Sequence, residues 1–344
     1  MDFKKKVIIS VIVIFVLTAT YILGVIFSPE NVEKRKTQRL LYPGFKKSAV
    51  TKIVISNPSG SITLKKDSTN KWWVVLNNSL YPADSGKISD LLDEFTKLKE
   101  GKLISKNPKN WDNFDVVEKR ARHFTFYDIK GKKIVDLLIG KGGIGGSGYY
   151  IRKSTGNNVY LISEVLSYYM NPAGDFWSYL KIMPKDLKVK DILKIVFFKK
   201  AAFDKKDKNP TINYTLYRGA TKDKETVWKI EGKENLTLDE DKVNLLTSDL
   251  VDFEGVKFVT DKSADTGIKN GDTYFEITTQ NNKTFKVYVG NKLKGKEQFY
   301  VKPANGKYTY VVSVWQLKRI FKPISAIEKK KVKVEKKENS KSKK

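Results

Sequence analysis

The stretch IGKGGIGGSG at 139–148 has the glycine density of a phosphate cradle. A P-loop needs Gly, four residues, then Gly-Lys-Ser/Thr opening a helix, so that backbone amides and the lysine surround phosphate. No Gly-Lys-Ser/Thr occurs here, and the strand-like YYIRK follows. A hairpin loop with glycines at positive φ accounts for the stretch. His123 is the single histidine, and cysteine is absent. That combination excludes disulfides, thiolate metal sites and cysteine nucleophiles, and it removes most zinc sites and serine–histidine triads.

Carboxylates gather twice. Asp84, Asp90, Asp93 and Glu94 lie around one expected helix, and Asp239, Glu240, Asp241 and Asp249 around another. Paired carboxylates can hydrolyse glycosides, but the helix dipole and solvation favour acids there without catalysis. Six tryptophans, at 72, 73, 111, 177, 228 and 315, could stack on sugars or bases. Trp73 and Trp228 stand beside alternating apolar residues and are expected in the core. Adjacent strand residues face opposite sides, so Trp72 is expected on the other face. Trp72, Trp111 and Trp177 are the expected surface contacts. No catalytic residue, cofactor or metal is expected, and the chain reads as a non-enzyme.

The elements that would position these residues occur twice. KIVIS, SITLKK and KWWVVL read as strands, and Asp84 as the cap of a helix with apolar residues at 88, 91, 92, 95 and 98. HFTFYD, KIVDLLIG, YYIRK and NVYLIS follow as strands, with a short helix near 164–170. ILKIVFF, TINYTLYR, TVWKIE, the helix DEDKVNLLTSDL, TYFEITT, TFKVYVG, QFYVK, YTYVVS and a helix at 315–321 repeat that order. Trp73, Asp84, Leu91-Leu92 and Gly101 match Trp228, Asp239, Leu245-Leu246 and Gly255 at offsets of 154–155 residues. Gly140, Tyr150, Tyr160 and Ser163 match Gly290, Tyr300, Tyr310 and Ser313 at an offset of 150. A constant offset of this kind indicates an internal repeat.

Residues 7–27, VIISVIVIFVLTATYILGVIF, carry no charge and no proline. At about 1.5 Å per residue they span a hydrocarbon core roughly 30 Å thick. The β-branched content would suit a strand in water, but a lone strand in lipid leaves its backbone unpaired, so a helix is expected. Lys4, Lys5 and Lys6 place the N-terminus in the cytoplasm by the positive-inside rule. The alternative is a cleaved signal peptide, for which the apolar run is long.

The expected fold class is therefore α+β: one N-terminal transmembrane helix, then two tandem copies of a mostly antiparallel sheet-plus-helix module. The expected divisions are a cytoplasmic tail at 1–6, the membrane helix at 7–27 and a juxtamembrane linker at 28–48. Repeats at 49–185 and 188–323 follow, then a disordered basic tail at 324–344. The formal net charge is +28, with 66 Lys+Arg against 38 Asp+Glu. The lysines run through the whole chain without an arginine stripe, so no nucleic-acid partner is expected.

The words ITLKK, KWWVV, YPADSGKISDLLDEFTKLKEGKLIS, FTFYD, DLLIGK, YYIR and VYLIS resemble the domain-of-unknown-function 4340 family. The resemblance covers most of residues 50–180 and, more loosely, the second copy to about 320. Its signature residues are Trp73, Ala83-Asp84, Leu91-Leu92, Gly140, Arg152 and Val159-Tyr160, with Asp175 and Trp177 in GDFWSYL. In the second copy Lys302 stands in place of Arg152. The resemblance implies bacterial, membrane-anchored proteins often encoded beside ABC transporters of the gliding-motility type. The expected function is a non-enzymatic extracytoplasmic binding or scaffold subunit, single-pass in the cell (inner) membrane and accessory to an ABC-type transporter permease or another membrane protein. The alternative is a cell-envelope module that binds polysaccharide or peptidoglycan.

Overall fold

The computed structural model describes residues 3–146, 148–163, 166–220, 226–268 and 272–329. The chain divides into two compact units between Tyr179 and Leu180. Residues 1–2 of the expected cytoplasmic tail and 330–344 of the expected basic tail lie outside the described residues.

Helix α1 (Phe3–Ile26) contains the stretch Ile9–Ile26, long and apolar enough to cross a membrane, and none of that stretch is buried against the rest of the chain. Its two threonine hydroxyls are satisfied within the helix. Thr18 donates to the Ile14 carbonyl at 2.8 Å, and Thr20 donates to Val16 and Leu17 at 2.9 Å. Such back-bonding is what hydrocarbon requires of a hydroxyl. Ser28 caps α2 (Pro29–Thr37), accepting from the Asn31 N–H, with proline in the first turn.

The first unit carries a nine-stranded antiparallel sheet. Its strands are β1 (Lys52–Asn57), β2 (Gly60–Lys66), β3 (Trp72–Leu76), β4 (Ser79–Pro82), β5 (Lys102–Ser105), β6 (Arg122–Tyr127), β7 (Lys133–Gly142), β8 (Tyr149–Lys153) and β9 (Val159–Ile162). They lie in the order β4-β3-β2-β1-β6-β7-β8-β9-β5. Helix α3 (Ser85–Lys97) buries Ile88, Leu91, Leu92 and Phe95. Phe95 packs against Phe124 and Phe126 of β6, with ring centroids 5.4 and 4.6 Å apart. Alternate residues Ile53, Ile55, Ile62, Leu64 and Val74 complete this core.

The second unit carries eight strands: β10 (Ile192–Lys199), β11 (Ile212–Ala220), β12 (Thr226–Ile230), β13 (Lys257–Phe258), β14 (Thr273–Thr279), β15 (Thr284–Lys292), β16 (Gln298–Pro303) and β17 (Tyr310–Ser313). Their order is β12-β11-β10-β14-β15-β16-β17-β13. Without β4, the first sheet has this same order position by position. Helix α5 (Glu240–Val251) buries Val243, Leu246, Thr247 and Leu250. A capping box at Ser313 starts α6 (Val314–Ile320).

The polar linker expected at 28–48 is helical at its start and part of the first unit at its end. Leu41 is fully buried, and its N–H donates to the Leu98 carbonyl at 2.7 Å. Leu40 bridges to Lys99. In the second unit Ile182 donates to the Phe253 carbonyl at 2.9 Å, and Lys181 bridges to Glu254. Each sheet is thus preceded by a lead-in segment hydrogen-bonded to the end of its helix.

The far ends are fastened alike. After α4 (Gly174–Trp177), Ser178 bridges to Ala83, and the Trp177 carbonyl accepts from Asp84 at 2.8 Å. After α7 (Ile324–Ile327), Glu328 bridges to Leu238, and the Ile327 carbonyl accepts from Asp239 at 2.9 Å. Residues 174–179 of GDFWSYL therefore belong inside the first unit, Leu180 begins the second, and residues 324–329 of the expected tail are folded. The helix expected near 164–170 is a 3-10 turn at Ser167–Tyr169; Glu164 and Val165 lie outside the described residues.

The loop between β10 and β11 has no counterpart in the tight β1–β2 turn. It is held by a buried ion pair, Lys199 Nζ to Asp207 Oδ2 at 2.7 Å, whose side chains are 1% and 7% exposed. Lys318 on α6 pairs with Asp204 of the same loop at 2.7 Å.

Candidate functional site

The residues that carry the resemblance hold the fold. Asp84 accepts from the Lys87 N–H as the cap of α3, as Asp239 accepts from Lys242 for α5. A Cβ on Gly140 would strike the Phe114 carbonyl oxygen, and one on Gly290 the Thr266 carbonyl oxygen. Arg152 is 3% exposed. Its guanidinium donates to the carbonyls of Val116, Lys153, Ser154 and Gly156 at 3.0–3.2 Å and stacks 3.7 Å from the Trp111 ring centre. The glycines at 139–148 form the β7–β8 connection, where Gly143 donates to Gly148, as a hairpin loop does.

The tryptophans divide differently from the expectation. Trp177 is fully buried, its indole N–H on the Asn171 carbonyl at 2.7 Å, so it is a core residue. Trp72 is also buried, while Trp73 is half-buried on the opposite face. Strand alternation is as expected, but its phase is inverted. The ladder explains this: Lys66 pairs with Trp72 and lies over its ring, and Arg218 pairs with Trp228 and lies over its ring. Trp228 thus occupies the Trp72 position, not that of Trp73. Trp111 is partly buried under Arg152, and its indole N–H reaches the Asn157 carbonyl at 3.2 Å. The structure brings none of these three together as a surface. Trp315, which the sequence reading left aside, is 63% exposed and covered on one side by Arg319.

Trp73 donates to Asp67 at 2.7 Å, and Thr69 donates to the same carboxylate. The Thr69 hydroxyl first and the Trp73 indole second hold the Asp67 carboxyl down to about 2 from its ordinary 3.8. A depressed acid stabilises the fold above its unfolded value, and that contribution is lost as pH falls through the folded value. The Trp73 indole N–H NMR resonance is expected to titrate with its midpoint near 2, and the step should vanish in Asp67→Asn. A midpoint at 3.8 would show that these contacts do not hold the carboxylate.

His123 bonds through Nε2 to Asp136, whose other oxygen accepts from Lys133 at 2.8 Å. Burial alone would raise the Asp136 pKa; the bonds from Lys133 and His123 lower it overall. Among the described residues, no group of three or more His, Cys, Asp or Glu is placed to hold a metal. Of the acids considered for catalysis, Asp249 is paired with Arg319, and Asp93 with Lys47 at 2.8 Å.

Each lead-in segment forms one wall of a groove. In the first unit Leu41, Tyr42, Pro43 and Phe45 face Lys132, Lys133, Ile134 and Lys153 across a cavity of about 420 Å³. In the second, Ile182, Met183 and Pro184 face Phe285, Lys286, Pro303 and Tyr308 across about 350 Å³. Both lie beside the same hairpin, β7–β8 or β15–β16. Their linings differ: the first is basic, with Lys153 over the Tyr42 ring, and the second is chiefly apolar and aromatic. Burial pushes the Tyr42 hydroxyl above its ordinary pKa.

Residues 73–271, more than half of the chain, match the model of a family described as Domain of unknown function (DUF4340). The match runs across the division between the units. No curated protein and no solved structure matches the chain.

Proposed function

The chain belongs to the family described as Domain of unknown function (DUF4340), and from that premise we propose that it is a membrane-tethered, non-enzymatic binding or scaffold subunit, accessory to an ABC-type transporter. In this reading α1 is a single-pass anchor in the cell membrane with its N-terminus in the cytoplasm. Both units lie outside the cytoplasm and are copies of one duplicated module. The matching strand orders, paired helix caps and equivalent fastenings at both ends of each sheet support the duplication.

The observation that carries the functional reading is the employment of the signature residues. Asp84, Gly140, Arg152 and Trp177 are taken up in caps, close backbone approaches and clamps. The grooves are open to a partner. The second-unit groove, with Met183, Phe285 and Tyr308 on its walls, has the apolar and aromatic lining that suits a protein segment. The transporter itself comes from the resemblance. Affinity purification of the full chain from its native membranes in mild detergent is expected to recover a permease or its ATPase. Recovery of the chain without any transporter component would overturn the reading.

A further inference from the structure

The turn joining β6 to β7 and its counterpart joining β14 to β15 close alike but carry different side chains. In the first unit it reads Asp128-Ile129-Lys130-Gly131-Lys132, closed by Asp128 N–H to the Lys132 carbonyl at 3.0 Å. In the second it reads Thr279-Gln280-Asn281-Asn282-Lys283, closed by Thr279 N–H to the Lys283 carbonyl at 2.9 Å. Gly131 and Asn282 hold the same positive-φ position. At the tip, Ile129 is 84% exposed, where the second unit places the polar Gln280. An isolated exposed apolar side chain needs no explanation. This one stands on a turn whose lysines continue into the basic groove of Lys46, Lys132 and Lys153, and none of those three pairs with a carboxylate among the described residues.

The chain also limits where this groove can be. Its first wall begins at Leu41, and α1 ends at Ile26. Nine of the intervening residues are coiled in α2. Helical rise and extended-chain reach place the groove within about 35 Å of the end of α1. We propose that the first unit lies against the membrane surface, Ile129 entering the interface while Lys46, Lys132 and Lys153 hold the phosphates of anionic phospholipids. Apolar insertion beside lysines that have no carboxylate partner is the pattern by which peripheral segments bind anionic bilayers. The proposal rests on α1 being a membrane span, and it assigns this surface to the first unit alone.

The absence of cysteine makes single labelling sites available. Full-length chains carrying Ile129→Cys, Gln280→Cys or Leu17→Cys, each with an environment-sensitive fluorophore, are reconstituted into vesicles of phosphatidylcholine with or without phosphatidylglycerol. Spin-labelled lipid serves as the quencher. The Leu17 label should be quenched in both vesicles. The Ile129 label should be quenched and blue-shifted with phosphatidylglycerol only, and the Gln280 label in neither. Each of Lys46→Gln, Lys132→Gln and Lys153→Gln should weaken docking about fivefold. An unquenched Leu17 label overturns the membrane span and this proposal together. A quenched Leu17 label with residue 129 no more quenched than residue 280 overturns this proposal alone. Equal quenching of residue 129 without phosphatidylglycerol also overturns it.

Discussion

Replacing Lys199 with methionine is expected to cost about 3–5 kcal/mol of stability, because it leaves a carboxylate buried without its counter-charge. Asp207 lies within the β10–β11 loop, accepting from the Phe203 and Asn209 N–H groups as well as from Lys199. Burial works to raise its pKa, and the Lys199 bond followed by the two backbone bonds brings it below the ordinary value. Lys199 also lies 4.7 Å from the Phe203 ring centre, so the ammonium is enclosed by the same loop that it neutralises. Asp207→Asn keeps an acceptor for Phe203 but strands the ammonium, and should cost a similar amount. The double variant Lys199→Met/Asp207→Asn strands no charge. Its loss should be well below the sum of the single losses, which a double-mutant cycle measured by urea unfolding would read. A single-variant loss under about 1 kcal/mol would mean that the pair behaves as an exposed one.

Arg152→Ala is expected to destabilise the first unit by at least about 3 kcal/mol, since hydrogen bonds to a charged partner contribute about 1.5–3 kcal/mol each and buried acceptors are left unmet. The guanidinium binds Val116 in one loop and Lys153, Ser154 and Gly156 in the β8–β9 turn. Trp111 covers it. Arg152→Lys should recover only a minor part, because one ammonium cannot serve carbonyls set around a planar fork. Lys302 on β16 pairs with Tyr288 of β15, where Arg152 on β8 pairs with Leu138 of β7. Its side chain is not fully buried, and Lys302→Ala should cost under about 0.5 kcal/mol. Equal losses at 152 and 302, measured by chemical unfolding, would contradict the clamp.

These two positions show the reach of the sequence. Arg152 was marked by resemblance, but nothing in its spacing announces four carbonyls. Lys199 reads as one lysine among many, at the end of an apolar run. The grooves were not legible either, because each needs its lead-in segment placed beside a hairpin more than 80 residues further along the chain.

What residue types did report was the class of each element. The alternation in KIVIS and SITLKK, the spacing 88, 91, 92, 95 after Asp84, and the uncharged run at 7–27 each reflect how one element divides itself between apolar and aqueous surroundings. That division is local, so it is written locally. Phase was less secure. Leu245-Leu246 matches Leu91-Leu92 as letters, yet α5 buries Leu246 and Thr247 and leaves Leu245 52% exposed. Trp72 and Trp73 exchanged faces for the same reason: two adjacent large apolar residues leave the face open until a neighbouring strand sets the register.

Only the tertiary structure placed Leu40–Leu41 against Leu98–Lys99 and Trp177–Ser178 against Ala83–Asp84. Those fastenings decide where each unit begins and ends, and they moved the first unit's start from residue 49 to about residue 40. They are made by backbone N–H and C=O groups, which nearly every residue carries in the same form. Residue types therefore determined the long apolar helix and the α+β elements. The pairing of distant backbone, on which both the unit limits and the grooves depend, was left to the fold.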